Sequence, residues 1–213
     1  MTPNAPSLTE LIARGLNDAI SYEAYFERMA RAADGEVLYE KESRNFFTRL
    51  NHQRMRRLNQ TLELIDDVID AGARIPCAMT WLVLTEGWCG DAAQVLPALN
   101  LLTQRFENLE MGLLFRDRHL PLMDQFLTNG GRSIPKVIMV DRETGEVRGT
   151  WGPRPRPAQD LFELYRDGGS GMDKDTYERE LQKWYLRDRA EHIQRELLEM
   201  LTRCGESASA PSA

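Results

Sequence analysis

Residues 85–94 read Thr-Glu-Gly-Trp-Cys-Gly-Asp-Ala-Ala-Gln. An unbroken apolar run, residues 78–85, precedes the central Trp-Cys pair and predicts a strand buried on both faces. Apolar residues at helical spacing follow from Asp91 to about Phe106 and predict a helix. Cys89 therefore stands where a strand passes into a helix. The first free amides of a helix carry about half a positive charge and favour a thiolate, which makes Cys89 a candidate nucleophile.

Further strands and helices follow in an order that predicts the fold. Residues 109–115 form a second apolar run, and residues 122–127 suit a short helix that ends at a Gly-Gly turn. Residues 135–140 and 146–151 flank a polar turn that contains Gly, which predicts a β-hairpin. The order β-α-β-α-β-β predicts an α/β fold with a mixed four-stranded sheet.

Helical segments flank this central unit. Ser7 and Glu10 form a capping-box pattern ahead of a first helix that we expect to end at Asp34. A second helical region, residues 36–71, would complete a hairpin, and Asp173 can cap one long last helix. The predicted organisation is a helical hairpin packed on the core at residues 1–74, the α/β domain at 75–167, a C-terminal helical extension at 168–204 and a disordered tail at 205–213.

Two motifs in register resemble the thioredoxin superfamily. Residues 88–92, Trp-Cys-Gly-Asp-Ala, stand where that family has Trp-Cys-Gly-Pro-Cys, and Pro135 stands where it has a cis proline beside the cysteine. Residues 85–94 and 129–136 together resemble a subgroup of largely uncharacterised bacterial thioredoxin-like proteins, over most of the chain. The resemblance implies a thioredoxin-like fold and chemistry at Cys89.

The departures from the family motif change the expected chemistry. Ala92 occupies the position of the resolving cysteine, so a mixed disulfide at Cys89 has no neighbouring thiol to release it. Val83 stands where many thioredoxins bury an acidic residue. Cys77 precedes the first strand and Cys89 follows it, so the length of the strand holds the two cysteines too far apart to form a disulfide. Cys204, near the C-terminus, remains a candidate resolving partner.

Parallel pairing of the first two strands would bring five segments to the edge where Cys89 lies. Arg132 and Arg154 would place cations near the thiol, or else pair with Asp91 or Asp117. The backbone of Ile134 would be free to pair with an extended peptide or a glutathione-like ligand. The candidate catalytic residue is Cys89, and the candidate substrate-binding residues are Trp88, Gly90, Asp91, Asp117, Arg132, Ile134, Pro135, Trp151 and Arg154.

Two functions are consistent with this pattern. In the first, Cys89 forms a mixed disulfide or thiol adduct with a protein or small molecule, and an external thiol such as glutathione resolves it. In the second, the fold is a non-catalytic module that binds a peptide or an acidic small ligand. In either case the helical flanks offer a surface for a homodimer, and the sequence leaves open whether the protein is an enzyme.

Composition excludes several classes of function for this protein. The hydrophobic fraction of 42% and charged fraction of 28% are those of a globular domain, and the net charge of -6 argues against nucleic-acid binding. No stretch resembles a secretory signal or reaches the ~18 apolar residues of a membrane span, so we expect a cytoplasmic protein with no membrane association. Three cysteines and three histidines without ligand spacing predict neither a metal site nor a resident cofactor.

Overall fold

The computed structural model describes residues 5–72, 74–75 and 77–207, the last five of these by their backbone alone. These residues form a sheet of four strands, β1 Met79–Thr85, β2 Leu109–Phe115, β3 Lys136–Asp141 and β4 Val147–Trp151, in the order β2-β1-β3-β4. Strands β1 and β2 are parallel, whereas β3 is antiparallel to both β1 and β4. The predicted mixed four-stranded sheet is therefore confirmed.

The register of the sheet decides which loops meet. Thr85, the last residue of β1, lies opposite Phe115, the last residue of β2. Lys136, the first residue of β3, pairs with Leu84 beside that same end of β1. The loops after β1 and β2 and the segment before β3 consequently meet at one edge of the sheet.

Helix α5, Gly90–Arg105, follows directly from that edge. Its residues 91–99 are all buried, because it packs on β2 and is covered by two other helices of the chain. The helix continues through Pro97. Helix α5 together with β1 and β3 forms the centre of the apolar core, and the core residues of these elements have almost no solvent exposure.

The first predicted helix is two helices, α1 Leu8–Asp18 and α2 Tyr22–Ala33. Ser7 and Glu10 form the predicted capping box of α1. The chain leaves α1 in an extended conformation, and Ile20 exchanges two backbone hydrogen bonds with Leu113 of β2. Ser21 then caps α2. Pairing of Ile20 with the sheet thus interrupts the single helix that the continuous helical spacing of apolar residues predicts.

The second predicted helical region is also divided, into α3 Glu42–Thr61 and α4 Asp66–Gly72. Helices α2 and α3 pack against each other as the hairpin, and α3 also packs on α5. Between α3 and α4 the backbone is held by the buried amide of Gln194, which accepts from the N–H of Ile65 and donates to the carbonyl of Glu63, both at 3.1 Å. A distant side chain therefore stabilises this break.

A 3-10 turn, Arg116–Arg118, and helix α6, Leu120–Met123, follow β2, with α6 starting before the predicted residues 122–127. The C-terminal part comprises α7 Arg156–Arg166, α8 Lys174–Asp188 and α9 Glu191–Ser207. The single long helix expected after Asp173 is wrong, because Arg189 and Ala190 have positive φ angles of 51° and 63°. Of the predicted tail, residues 205–207 continue α9, and residues 208–213 lie outside the described part of the chain.

Candidate functional site around Cys89

Cys89 occupies the N-cap position of α5. Its Sγ atom accepts a long hydrogen bond, 3.5 Å, from the backbone N–H of Ala92 and donates to the carbonyl oxygen of Ile134 at 3.2 Å. The Ile134–Pro135 peptide bond is cis, as is the Gly152–Pro153 bond. The thiol therefore lies between a helix N-terminus and the segment that opens β3.

The thiol is almost inaccessible, since Cys89 is only 7% exposed. Burial raises the pKa of Cys89 to about 12, and the negative charge of Asp91 acts in the same direction. The backbone N–H groups of Ala92 and Asp91 and the charge of Arg154 lower the pKa but do not offset burial. In this conformation Cys89 is a protonated thiol rather than a thiolate.

Beside Cys89 lies a buried polar cluster made by three distant parts of the chain. The carboxylate of Asp91 pairs with Arg154 at 2.8 Å and accepts a hydrogen bond from the Tyr185 hydroxyl at 2.9 Å. Burial raises the pKa of Asp91 in spite of the Arg154 charge. The Arg154 guanidinium also lies over the ring of Phe162, 4.6 Å from its centroid. We call Asp91, Arg154 and Tyr185 the buried triad; it joins α5 to the loop after β4 and to α8.

Helix α8 covers the beginning of α5. Besides Tyr185, its Gln182 accepts a hydrogen bond from the amide of Gln94 at 2.8 Å. Gly90 lies beneath it, and a Cβ added there would be 3.8 Å from Nε2 of Gln182 and 3.6 Å from Nη1 of Arg54. The chain's own helix α8 thus packs on the first turns of α5, beside Cys89.

On the other side of the loop, two arginines lie over the ring of Trp88. The guanidinium groups of Arg44 and Arg116 lie 4.7 and 5.1 Å from the centre of the Trp88 ring. Both also pair with Asp117, at 3.0 and 2.7 Å. Partial burial raises the pKa of Asp117, but hydrogen bonds and charge from these arginines leave it below its usual value. Asp117 therefore serves as an ion-pair partner here.

Two further candidate residues have structural partners away from the thiol. Trp151 is buried and donates from Nε1 to Glu196 of α9 at 2.8 Å. Arg132, half exposed, pairs with Asp124 at 2.6 Å. The structure therefore brings Arg154, but not the guanidinium of Arg132, into the cluster that contacts Asp91.

Sequence reasoning missed three groups at this site. Glu86 is buried, has its pKa raised by burial, and accepts hydrogen bonds from Tyr39 and from the backbone N–H of Asp117, both at 2.9 Å. Tyr185 closes the buried triad from α8. The position of Glu86, three residues before Cys89, was a usable signal, whereas Tyr39, between α2 and α3, and Tyr185 of α8 reach the loop only through tertiary packing.

The other cysteines are separate from Cys89. Cys77 precedes β1, at the opposite end of that strand, and its Sγ lies 4.0 Å from the carbonyl oxygen of Leu201. The side chain of Cys204 lies outside the described residues. Within the described ranges, no group of His, Cys, Asp and Glu is arranged to hold a metal ion. None of the helices described there is both long and apolar enough to cross a membrane.

Comparison with known proteins places this arrangement in context. A family model described as thioredoxin matches residues 37–167, more than half of the chain. A solved Pseudomonas aeruginosa protein of unknown function is similar over 96% of this chain and 99% of its own, with 19% identity and a TM-score of 0.63. An HIV epitope scaffold is similar over 90% of this chain and 100% of its own, with 19% identity and a TM-score of 0.58. No curated protein matches the sequence.

Proposed function

Because the chain belongs to the thioredoxin family, we propose that it is a monothiol redox protein in which Cys89 exchanges with a partner's disulfide once α8 has moved away. The observation that supports this most directly is the position of Sγ, between the N–H of Ala92 and the carbonyl of Ile134. The residue three positions after Cys89 is Ala92, so release of a mixed disulfide requires an external thiol.

The exchange has two balanced steps. The Cys89 thiolate attacks one sulfur of a disulfide, a new S–S bond forms, and the other sulfur leaves as a thiolate. An external thiolate, for example that of glutathione, then attacks the partner's sulfur in the mixed disulfide and restores the Cys89 thiolate. The partner's disulfide is the oxidant and the external thiols are the reductant, so the protein needs no resident cofactor for this reaction.

Movement of α8 is the step that would make Cys89 reactive. Burial is the largest cause of the raised pKa of Cys89, and α8 lies beside it, with Tyr185 and Gln182 hydrogen-bonded to Asp91 and Gln94 in the first turns of α5. With α8 displaced, the thiol would gain water while keeping the N–H of Ala92 as a hydrogen-bond donor. Water and the retained N–H of Ala92 both stabilise a thiolate. Displacement of α8 would also give a peptide or a glutathione-like ligand access to the backbone of Ile134.

A second candidate function has its own supporting observation. The thiol is 7% exposed and donates a hydrogen bond to Ile134, which is also how an inert buried cysteine behaves. In that case the thioredoxin fold is a scaffold for binding a peptide or an acidic small ligand, and Cys89 contributes packing alone. Reactivity of Cys89 in the intact protein separates the two functions.

The test is modification of the native protein by oxidised glutathione, followed by mass spectrometry. We expect one adduct, absent from Cys89→Ser and retained in Cys77→Ala, and formed several-fold faster in Tyr185→Phe because α8 is held less firmly. Insulin reduction coupled to thioredoxin reductase should stay at background. No adduct in either the wild type or Tyr185→Phe, with Cys89 modified only after denaturation, would establish the scaffold function instead.

A further inference from the structure

A cleft lies around the ring of Phe115 at the end of β2, on the side of the Cys89 loop that faces Glu86 and Asp117. Arg28 of α2 and Arg118 of the 3-10 turn both lie over this ring, with guanidinium carbons 5.1 and 5.7 Å from its centroid. Phe115 and Arg118 are three residues apart in sequence, whereas Arg28 is brought to them only by folding. We call Arg28, Phe115 and Arg118 the arginine cleft.

The space at the arginine cleft is large enough for a metabolite. Two adjoining hollows share its three residues, one of about 310 Å³ towards Tyr39 and Lys41 and one of about 560 Å³ towards Ile20 and His119. Sites for small molecules usually enclose about 300–1,000 Å³. A ligand in the smaller hollow would also lie against Glu86, which precedes Cys89 in the same loop.

The two arginines lack the partners that other arginines around them have. Arg31 pairs with Glu36, and Arg44 pairs with Asp117. Among the residues that the structure describes, neither Arg28 nor Arg118 forms an ion pair, and the buried Nε of Arg28 has no hydrogen-bond acceptor. The carboxylates that line the two hollows are Asp18, Glu27, Glu40, Glu86 and Asp117.

Both guanidinium groups are brought to the same ring although like charges repel, and no ion pair among the described residues offsets that repulsion. This occurs in a chain whose net charge is -6, where carboxylates are more numerous than cations. A guanidinium presents a planar fork of N–H donors that matches a carboxylate or a phosphate. The chemistry of the arginine cleft is therefore that of an oxyanion site.

A second feature at the same place adds positive charge. Helix α3 is 20 residues long and begins beside the smaller hollow, with Lys41 at its N-cap and no side chain capping its first amides. An uncapped helix N-terminus attracts anions through its free N–H groups and the helix dipole. The cation of Lys41 and the start of α3 act in the same direction as the two arginines, whereas Glu42 in the first turn of α3, which pairs with Arg49, acts against them.

We infer that the arginine cleft binds a small molecule through a phosphate or carboxylate group, held between Arg28 and Arg118. This inference does not depend on chemistry at Cys89. The two guanidinium groups would bind the oxyanion, while the hollow towards Tyr39 would take the rest of the molecule.

The inference is tested by calorimetric titration of the full chain at low ionic strength, with inorganic phosphate, phenyl phosphate and benzoate as separate probes. We expect saturable binding of at least one probe below about 10 mM. Arg118→Met should weaken it about tenfold or more, Arg118→Lys less, and Arg187→Met, an exposed arginine of α8, not at all. Tighter binding of phenyl phosphate than of benzoate would assign the site to phosphate esters, and the reverse order to carboxylates.

Arg28→Met provides a second variant, with circular dichroism as the check on folding, because the side chain of Arg28 also packs on Phe115. Arg118 is exposed, so its replacement should leave the fold intact whatever happens to Arg28. No saturable binding of any probe to the wild type would overturn the inference. Equal binding by the wild type and by Arg118→Met would overturn it as well.

Discussion

The two sides of the loop that carries Cys89 use arginine in opposite ways. On the covered side, the side chain of Arg154 is 14% exposed and pairs with the buried carboxylate of Asp91 beneath α8. On the open side, Arg28 and Arg118 lie over Phe115 with no ion-pair partner among the described residues. An arginine with a buried partner stabilises a fold, whereas one without a partner is available to a ligand. The difference predicts that substitutions on the covered side affect stability and those on the open side affect binding.

The largest effect is expected for Arg154→Met. It leaves the buried carboxylate of Asp91 without a compensating charge, so the free energy of unfolding should fall by about 3 kcal/mol in denaturant titrations at neutral pH. The pKa of Asp91 is already raised, and a protonated carboxyl needs no cation. The loss should therefore shrink as the pH falls towards 4 and grow as the pH rises.

Two variants control that measurement. Arg132→Met removes an exposed arginine that pairs with Asp124, and it should change the free energy of unfolding very little. Asp91→Asn added to Arg154→Met should recover part of the loss, because the amide carries no charge and still accepts from Tyr185. If Arg154→Met unfolds like Arg132→Met, the buried triad does not hold the covered side together.

Tyr185→Phe should have the next largest effect. It removes the hydrogen bond from α8 to Asp91 and keeps the ring, so we expect a loss of about 1–3 kcal/mol in the free energy of unfolding. Iodoacetamide should label Cys89 faster in this variant. Tyr165→Phe is the matched control, since Tyr165 stacks on Tyr177 with its ring and needs no hydroxyl for that contact. Equal labelling rates in the two variants would show that α8 is not what protects Cys89.

The titration of Cys89 gives a pH-dependent prediction. Its folded pKa of about 12 lies above the ordinary value of 9.0, so its contribution to stability is complete below pH 9 and is lost as the pH rises towards 12. Between pH 9 and pH 10 the wild type should therefore lose about 1 kcal/mol more than Cys89→Ser. Cys77→Ala should lose as much unfolding free energy over this pH range as the wild type does. Parallel curves for the wild type and Cys89→Ser would mean that the thiol is not buried in solution.

The smallest effect on stability is expected for Arg118→Met. Arg118 is exposed and forms no ion pair with the described residues, so the free energy of unfolding should change by less than about 0.5 kcal/mol in phosphate-free buffer. Added phosphate should raise the melting temperature of the wild type more than that of the variant. A loss as large as that of Arg154→Met would remove the distinction between the two sides.

Much of the sheet could be predicted because its signals are local. The apolar run of β1, the hairpin of β3 and β4, and the spacing of α5 depend on which residues are near in sequence, and the structure has these elements close to the predicted bounds. The helix breaks were not predicted because their causes are distant. Ile20 leaves its helix to pair with Leu113, and Gln194 holds the chain between α3 and α4.

The sequence by itself determined the family motif, the four-stranded fold, and the place of Cys89 at the start of α5 with Ala92 three residues on. Only the tertiary structure decided that the thiol is buried, that Arg154 rather than Arg132 reaches Asp91, and that Arg28 lies over the ring of Phe115. Strand and helix patterns follow from neighbouring residues, because backbone geometry repeats every two or 3.6 residues. Burial, pKa and ion pairing depend on which distant elements pack together, and the spacing of residues along the chain carries no direct record of that.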